Sequence, residues 1–221
     1  MTWIKLKKSY NALCLKAKNK ESFTEEWQTF SKVARSMESS PPTGLKSIQD
    51  ILTNIEKKIS RDKIKIFDHG CGGGFTSMYF AALGYKNIYG VNVNNDNYYL
   101  NDILKKIFKI NEKRFITTDG KDVPFQDDKF DFIISCQVVE HLTDNEVVLY
   151  YSEEGRVLKK GGLSYHEVPH LFMPYESHSR LWFIHLFPYF LKPLFYGIFK
   201  SIQSKKNLFY EGEYYAKRFS G

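Results

Sequence analysis

The sequence predicts an α/β fold with a mostly parallel sheet, and two observations support this. A short β-branched strand at residues 63–67 runs directly into the glycine-dense turn of residues 68–74, and residues 75–83 then have helical composition and end at Gly84. A strand, a glycine-rich turn and a helix in this order open a cofactor-binding βαβ unit. Beyond Gly84, predicted strands continue to alternate with amphipathic helices, as a parallel sheet requires.

The glycine-rich turn argues against two common classes of cofactor. A phosphate-binding loop continues with Lys and Ser or Thr after its glycines, but Gly74 is followed by Phe75 and Thr76. A dinucleotide fingerprint places a third Gly or Ala at position 75 for close packing of helix and strand, and Phe75 is too large for this. A nucleoside ligand with a phosphate-free tail remains, approached by a backbone that has no Cβ in the way.

The other elements follow from apolar periodicity and helix caps. Residues 1–40 predict interrupted helices, and residues 39–44 form a loop by composition because Ser, Pro and Gly dominate them. The remaining predicted strands lie at 87–93, 114–117 and 163–168, and one more ends at Ser135. An amphipathic helix is predicted at 45–59, and a second helix is capped by residues 94–96. A third helix begins at the capping box Thr143-x-x-Glu146 and closes at Gly161-Gly162.

Four separated stretches resemble one family, the class I S-adenosylmethionine-dependent methyltransferases. Residues 68–74 (Asp-His-Gly-Cys-Gly-Gly-Gly) resemble motif I, Asp-x-Gly-x-Gly-x-Gly. Residues 122–135 resemble the Leu-Pro-Phe … Phe-Asp run before strand four, and residues 140–142 the Glu-His-Leu of the small-molecule branch (type 11 or type 23). Residues 156–162 resemble Arg-Val-Leu-Lys-Pro-Gly-Gly, with Lys in place of Pro. The resemblance covers about residues 45–170.

This resemblance implies a fold, a cofactor and a set of contacts. The fold is a Rossmann-like three-layer αβα sandwich with strand order 3-2-1-4-5, and the cofactor is S-adenosylmethionine, with S-adenosylhomocysteine as product. The implied cofactor-binding residues are Asp68, Gly70, Cys71, Gly72 and Gly74 around the methionine end, Asn92 and Val93 at the ribose, and Asp119, Gly120, Cys136 and Gln137 around adenine and sulfur.

Asn92 departs from the family pattern, which usually has an acid at the end of the second strand. An asparagine still accepts a hydrogen bond through its carbonyl oxygen, but it loses the stronger charge-assisted bond to a ribose hydroxyl. Asp96 lies four residues further on and is a poor substitute. Asp119, considered without the resemblance, is read as a turn residue.

The acceptor side of the site is less defined. An Asn/Asp-Pro-Pro-Tyr tetrad, typical of enzymes that methylate amines of bases or glutamine, is missing after Ser135. The candidate general bases are His141, His170 and His178, although each also fits a structural or surface role. Residues that leave the carboxyl end of strand five face the ligand edge of such a sheet, and the candidate substrate-binding residues there are Tyr175, Glu176 and Arg180.

Composition and charge set the context. The chain has 221 residues and a net charge of +7, with six lysines before the first acid, Glu21. This basic stretch fits a solvated helix, and it also fits contact with nucleic acid or anionic lipid. Three scattered cysteines, no Cys or His cluster with metal-ligand spacing and no signal peptide predict a cytoplasmic protein with reduced thiols and no metal site.

The predicted organisation has three parts: a helical lead-in at 1–44, a cofactor-binding core at 45–170, and a helical cap at 171–221. Residues 181–199 are strongly apolar but interrupted by Pro188, Lys192 and Pro193, so a membrane span is not expected. The first interpretation of this segment is a lid over the substrate. The second is an element that contacts a membrane peripherally, and the third is a homodimer surface. The antiparallel β6–β7 hairpin usual in this fold is not recognisable, so either the chain is truncated or the sheet stops at five strands.

The resemblance favours methyl transfer to a small molecule, most simply to a hydroxyl of a sugar, a quinone-type compound or a lipid-linked metabolite. Two alternatives stay open. One is an RNA methyltransferase that uses the basic N-terminus, although no RNA-binding module is recognisable. The other is a non-catalytic domain on the same fold, in which Asn92 and the missing hairpin reflect a lost activity.

Overall fold

The computed structural model describes residues 2–94, 98–168, 175–176, 181–182 and 187–204. The chain divides into two compact units. The first unit comprises residues 1–138 and 143–167, and the second comprises residues 139–142 and 168–221.

The first unit contains a five-stranded sheet and six helices among its described residues. Its helices are α1 (Thr2–Lys18), α2 (Thr24–Ser36), α3 (Thr43–Glu56), α4 (Phe75–Ala82), α5 (Tyr98–Phe108) and α6 (Asp144–Val157). Its strands are β1 (Lys65–His69), β2 (Asn87–Asn92), β3 (Phe115–Thr117), β4 (Phe130–Cys136) and β5 (Leu158–Glu167).

The strand order is β3-β2-β1-β4-β5, and every neighbouring pair is parallel. The predicted order 3-2-1-4-5 is therefore confirmed. The register places Asp68 of β1 opposite Gly90 of β2 and Ile134 of β4. Because all five strands run the same way, their carboxyl ends meet at one edge, where ligands bind in open α/β sheets.

Neighbouring residues of a central strand point into different cores. Ile66 and Phe132 belong to a large cluster with α1 to α5, whereas the next residues along, Phe67 and Ile133, belong to a second cluster on the other side. All four side chains are fully buried. Because side chains alternate across a strand, the sheet is covered on both faces, as the predicted three-layer sandwich requires.

The outer edge of β3 is occupied by a side chain from α5. Asn101 Oδ1 accepts hydrogen bonds from the backbone N–H groups of Arg114 and Phe115, at 2.9 and 3.0 Å, and Asn101 Nδ2 donates to the Phe115 carbonyl at 2.7 Å. The carboxamide thus pairs with β3 much as a neighbouring strand does, and it satisfies backbone groups that an edge strand otherwise leaves unpaired.

The junction of α6 and β5 differs from the prediction in one respect. The capping box at Thr143 and Glu146 is present as predicted. The helix, however, already ends at Val157, and Leu158 is extended, with φ −79° and ψ 131°. Gly161 and Gly162 therefore lie within β5, where its register against β4 shifts between Phe130 and Phe132. The extra residues of β5 lie in this interruption of the ladder.

The second unit is partly helical. Its described elements are a 3-10 turn at Val139–His141, two-residue strands at Tyr175–Glu176 (β6) and Leu181–Trp182 (β7), a 3-10 turn at Tyr189–Leu191 and helix α7 (Lys192–Ser204). Strands β6 and β7 pair antiparallel in a sheet of their own and do not extend the five-stranded one. Among the described residues, no helix has both the length and the apolar character needed to span a bilayer.

Candidate cofactor site

The turn after β1 depends on glycine at two positions. Gly70 and Gly74 have φ values of +85° and +77°, in the left-handed region that other residues rarely adopt. A Cβ at Gly70 would lie 2.4 Å from Val138 Cγ2, and a Cβ at Gly74 would lie 2.3 Å from Leu100 Cδ1. Both the backbone conformation and the available space therefore require glycine.

The turn is fixed to its neighbours by backbone hydrogen bonds. The N–H groups of Gly70 and Cys71 both donate to the Val91 carbonyl on β2, each at 3.0 Å, and the Gly74 N–H donates to the Cys71 carbonyl at 2.8 Å. Cys71 is buried. The turn is thus a preformed, rigid loop between β1 and α4.

Asp68 is a buried carboxylate at the start of this turn. Its Oδ2 accepts a 2.6 Å hydrogen bond from Ser77 Oγ. Among the described residues no cation pairs with it. Burial raises the pKa of Asp68 to about 6, although the hydrogen bonds from Ser77 oppose the shift. A positively charged ligand group beside Asp68 would supply the missing countercharge.

Asn92 ends β2 and has a defined orientation. Its Nδ2 donates to the Asn94 carbonyl at 3.1 Å, and its backbone carbonyl accepts from the Thr118 N–H at 3.0 Å. Because the amide nitrogen is used within the loop, Asn92 Oδ1 is the atom suited to accept a hydrogen bond from a ligand hydroxyl. The next residue, Val93, is 60% exposed.

The loop after β3 lies against the loop after β2. A Cβ at Gly120 would lie 3.1 Å from Val93 Cγ1, and Gly120 has a φ of +83°. Asp119 is exposed and its Oδ1 accepts a 3.0 Å hydrogen bond from the Lys121 N–H. Asp119 is thus a turn-forming residue, as the sequence indicates without the resemblance. Because its side chain is exposed, it can also contact a ligand.

Cys136 and Gln137 complete the same edge. Cys136 is the last residue of β4 and is half-buried. Gln137 has a positive φ of +59°, and its N–H donates to the Glu167 carbonyl at the end of β5 at 2.8 Å. The structure therefore brings all of the predicted cofactor-binding residues to the carboxyl edge of one sheet, at the ends of β1, β2, β3 and β4.

Helix α1 contributes to the turn in a way that the sequence did not indicate. The hydroxyl groups of Tyr10 and Tyr99 both donate to the Gly73 carbonyl, Tyr99 at 2.8 Å. Both tyrosines are buried. Phe75, the first residue of α4, packs edge-on against the rings of Trp3 and Tyr10, with centroids 5.3 and 5.1 Å away. The lead-in helix thus holds the glycine-rich turn.

Replacing Tyr10 with phenylalanine should weaken cofactor binding while leaving the fold intact. The Gly73 carbonyl keeps its bond to Tyr99, but the turn loses one of two restraints, which at about 1 kcal/mol corresponds to a roughly fivefold higher Kd for S-adenosylmethionine. Calorimetric titration measures this Kd. The matched control is Tyr151→Phe, which removes a hydroxyl group from an exposed tyrosine. An unchanged Kd in Tyr10→Phe would show that the turn keeps its shape without α1.

A buried polar network joins the strand ends to α6. Glu154, only 4% exposed, bridges two histidines: its Oε1 lies 3.0 Å from His69 Nδ1 and its Oε2 lies 2.9 Å from His166 Nε2. The Tyr150 ring stacks on His69 at a centroid distance of 3.7 Å, and its hydroxyl lies 2.7 Å from Ser135 Oγ. Residues from β1, β4, β5 and α6 are thereby tied together directly behind the glycine-rich turn.

None of these network residues was singled out from the sequence. One signal was available: Tyr150, Glu154 and Val157 are buried at helical spacing on α6, so Glu154 occupies a core position. A carboxylate at such a position predicts a buried partner. Which residue that partner is depends on the fold, because His69 lies 85 residues earlier in the chain.

The predicted catalytic and substrate-binding residues are placed only in part. His141 is exposed and ends the 3-10 turn of the second unit. Tyr175 and Glu176 form the two-residue strand β6. His170, His178 and Arg180 lie outside the described residues. The roles of all six stay predictions.

The parallel sheet, the glycine-rich turn and the residues at its carboxyl edge form the arrangement of an α/β domain that binds a nucleoside cofactor. Residues 67–165 match the family model described as a methyltransferase domain. This part of the chain is therefore similar to methyltransferase domains, in agreement with the resemblance that its motifs indicated.

Individual relatives agree with this assignment. The chain is 27% identical to a ubiquinone biosynthesis O-methyltransferase of Pelagibacter ubique over 64% of this chain and 58% of the relative. It is 33% identical to the protein of the same name from Bartonella tribocorum, over 47% of this chain and 40% of the relative. The chain thus spans less than two thirds of these relatives.

Among solved structures, the chain is similar to the PH0226 protein of Pyrococcus horikoshii. The TM-score is 0.44 and the sequence identity 24%, over 60% of this chain and 58% of that one.

Proposed function

We propose that the chain is a methyltransferase that transfers the methyl group of S-adenosylmethionine to a hydroxyl of a small-molecule acceptor. The observation that carries this proposal is the buried Asp68 carboxylate beside the glycine-rich turn, which no cation pairs with among the described residues. The methionine end of the cofactor bears an ammonium group, whose positive charge would compensate the negative charge of this carboxylate. The residues present therefore fit the cofactor.

The ribose end also has a suitable partner. Asn92 Oδ1 is left as an acceptor because Nδ2 is used by Asn94. A neutral acceptor binds a hydroxyl less strongly than a carboxylate does. We infer that Asn92 supports cofactor binding at reduced affinity compared with the acid usual at this position.

The chain contributes mainly alignment and proton transfer. When bound, S-adenosylmethionine supplies an electrophilic methyl group on a positively charged sulfur. Holding the acceptor oxygen in line with that methyl group removes much of the barrier. A hydroxyl acceptor also has to lose its proton, and one of His141, His170 and His178 is proposed to accept it.

Support for a hydroxyl acceptor comes from the relatives. Two of them are named O-methyltransferases of ubiquinone biosynthesis. The missing Asn/Asp-Pro-Pro-Tyr tetrad agrees with this, because its absence argues against methylation of an amine of a nucleobase or of glutamine. A quinone-type phenol is the first acceptor class proposed, with sugars and lipid-linked metabolites as the other two.

The proposal is tested by calorimetric titration with S-adenosylmethionine and S-adenosylhomocysteine. We expect both to bind. Asn92→Asp should bind S-adenosylmethionine about fivefold more tightly, because a charge-assisted bond replaces a neutral one. Asn94→Asp is the matched control, since it adds the same charge two residues away and should leave the Kd nearly unchanged.

Activity is then measured by mass spectrometry with a catechol probe, 3,4-dihydroxybenzoate, which should gain one methyl group in the presence of S-adenosylmethionine. Absence of binding of either compound to any variant contradicts the proposal and favours a non-catalytic domain. Binding of RNA that weakens with salt, together with methylated RNA, would instead favour the RNA methyltransferase alternative.

A further inference from the structure

Helix α7 and the turn before it present an exposed apolar stripe. Phe190, Leu194, Ile198 and Ile202 are 77, 43, 37 and 70% exposed. Leu194, Ile198 and Ile202 lie on α7 and recur every four residues, and at 3.6 residues per turn each step moves only about 40° around the helix. These three side chains therefore form one stripe, roughly 12 Å long, and Phe190 lies in the 3-10 turn just before the helix. We call the stripe of these three side chains the α7 stripe.

The helix has a separate anchoring side. Tyr196 is 1% exposed. Phe195 stacks on Phe187 at a centroid distance of 3.8 Å and lies 6.0 Å from Phe199. The stacking of Phe195 on Phe187 holds the helix to the segment before it without using the stripe. The three apolar side chains of the stripe, and Phe190 just before them, are thus left in water, and an exposed apolar patch of this kind marks an interaction surface.

The sequence segment that contains the stripe has charges of one sign. Residues 177–210 contain no Asp or Glu. The basic residues of this segment are Arg180, Lys192, Lys200, Lys205 and Lys206. An amphipathic helix with an apolar face and only basic charges is typical of elements that lie in the headgroup region of a bilayer containing anionic lipid.

We propose that the α7 stripe docks on the surface of a membrane that contains anionic lipid, with the helix axis in the plane of the membrane. The apolar side chains enter the boundary of the acyl region. The ammonium groups of the lysines stay at the level of the lipid phosphates, because the long lysine side chains can reach them. In this arrangement the helix lies on the membrane and does not span it.

A second copy of the chain fits this surface less well. Four partly exposed side chains present on the order of a few hundred Å², whereas a stable interface buries roughly 1,200 Å² or more. In a symmetric dimer the same patch faces itself, so two acid-free basic segments would be brought together. Repulsion between them opposes such a dimer, whereas anionic lipid attracts both.

Docking also bears on the acceptor, and this step rests on the proposed function. A quinone-type or lipid-linked acceptor dissolves in the bilayer, so a membrane-bound enzyme meets it at a far higher local concentration than an enzyme in solution does. The docking itself does not depend on methyl transfer and is tested without it.

The test is co-sedimentation of the full chain with vesicles of phosphatidylcholine alone or mixed with phosphatidylglycerol. The chain should pellet with the mixed vesicles and stay largely in solution with pure phosphatidylcholine. Ile198→Glu/Ile202→Glu should reduce binding to mixed vesicles at least tenfold, because two inserted side chains become charged. Val148→Glu/Leu149→Glu is the matched control, since it adds the same charges at exposed apolar positions on α6.

Three results would overturn the proposal. The first is a chain that stays in solution with every vesicle. The second is an equal loss of vesicle binding in Val148→Glu/Leu149→Glu and in Ile198→Glu/Ile202→Glu, which would show that binding depends on net charge alone. The third is a dimer in analytical ultracentrifugation that Ile198→Glu/Ile202→Glu dissociates, which would make the stripe an interface between copies. Titration with S-adenosylmethionine without vesicles reports the proposed function independently, and the stripe variant should leave that Kd unchanged.

Discussion

Replacing Asp68 with asparagine should stabilise the ligand-free protein at pH 8 and sharply weaken its binding of S-adenosylmethionine. Burial raises the pKa of Asp68 from 3.8 to about 6. A raised pKa means that the carboxyl group contributes full stability below pH 3.8 and that this contribution is lost as the pH rises through 6. Above pH 6 the charged carboxylate therefore costs about 3 kcal/mol as an upper estimate.

Asparagine avoids this cost, because its amide oxygen can still accept the hydrogen bonds from Ser77 and carries no charge. We expect the melting temperature of Asp68→Asn to exceed that of the unmodified chain by several degrees at pH 8, and the difference to vanish near pH 4. The Kd for S-adenosylmethionine should rise about 10- to 100-fold, because a bond to a charged group is lost.

Thermal denaturation across pH and calorimetry at pH 8 measure the two effects. Ser77→Ala serves as the comparison, since it removes a hydrogen bond but keeps the carboxylate, and it should destabilise the protein at pH 8. A less stable Asp68→Asn with unchanged affinity would mean that Asp68 is a structural residue and not the countercharge of the cofactor.

Replacing Glu154 with glutamine should destabilise the protein by about 3 kcal/mol or more at pH 7. Burial alone raises the pKa of Glu154, but hydrogen bonds from His166 and His69 outweigh it and bring the pKa below its usual value. Glutamine offers one acceptor where the carboxylate offers two, and it carries no charge, so the two buried imidazoles lose their shared charged partner. The link from α6 to the ends of β1 and β5, which Glu154 joins through His69 and His166, is then weakened.

The pH dependence of this loss follows from the sign of the shift. A lowered pKa gives stability that is present above the ordinary value of 4.5 and lost as the pH falls through the lower value in the folded state. The difference between Glu154→Gln and the unmodified chain should therefore be largest near neutral pH and shrink in acid. Urea denaturation at several pH values measures it, with exposed Glu25→Gln as control. A constant difference at all pH values would contradict an ionic role.

The sequence predicted the sheet and the edge where the cofactor residues meet because these depend on local patterns. The turn at Gly70 and Gly74 and the alternation of strands with helices are readable within short windows. Contacts between distant segments are not: Tyr10 reaches Gly73 across 63 positions, and His69 reaches Glu154 across 85. No local pattern specifies which buried polar groups will pair once the chain has folded.

The pairing of Asn101 with the outer edge of β3 bears on how this protein behaves at high concentration. A segment from another molecule must displace the Asn101 carboxamide before it can join the backbone of Arg114 and Phe115. Edge strands are common starting points for aggregation, and proteins usually protect them with charges, prolines or an extra element. Here one polar side chain from α5 protects the edge against self-association.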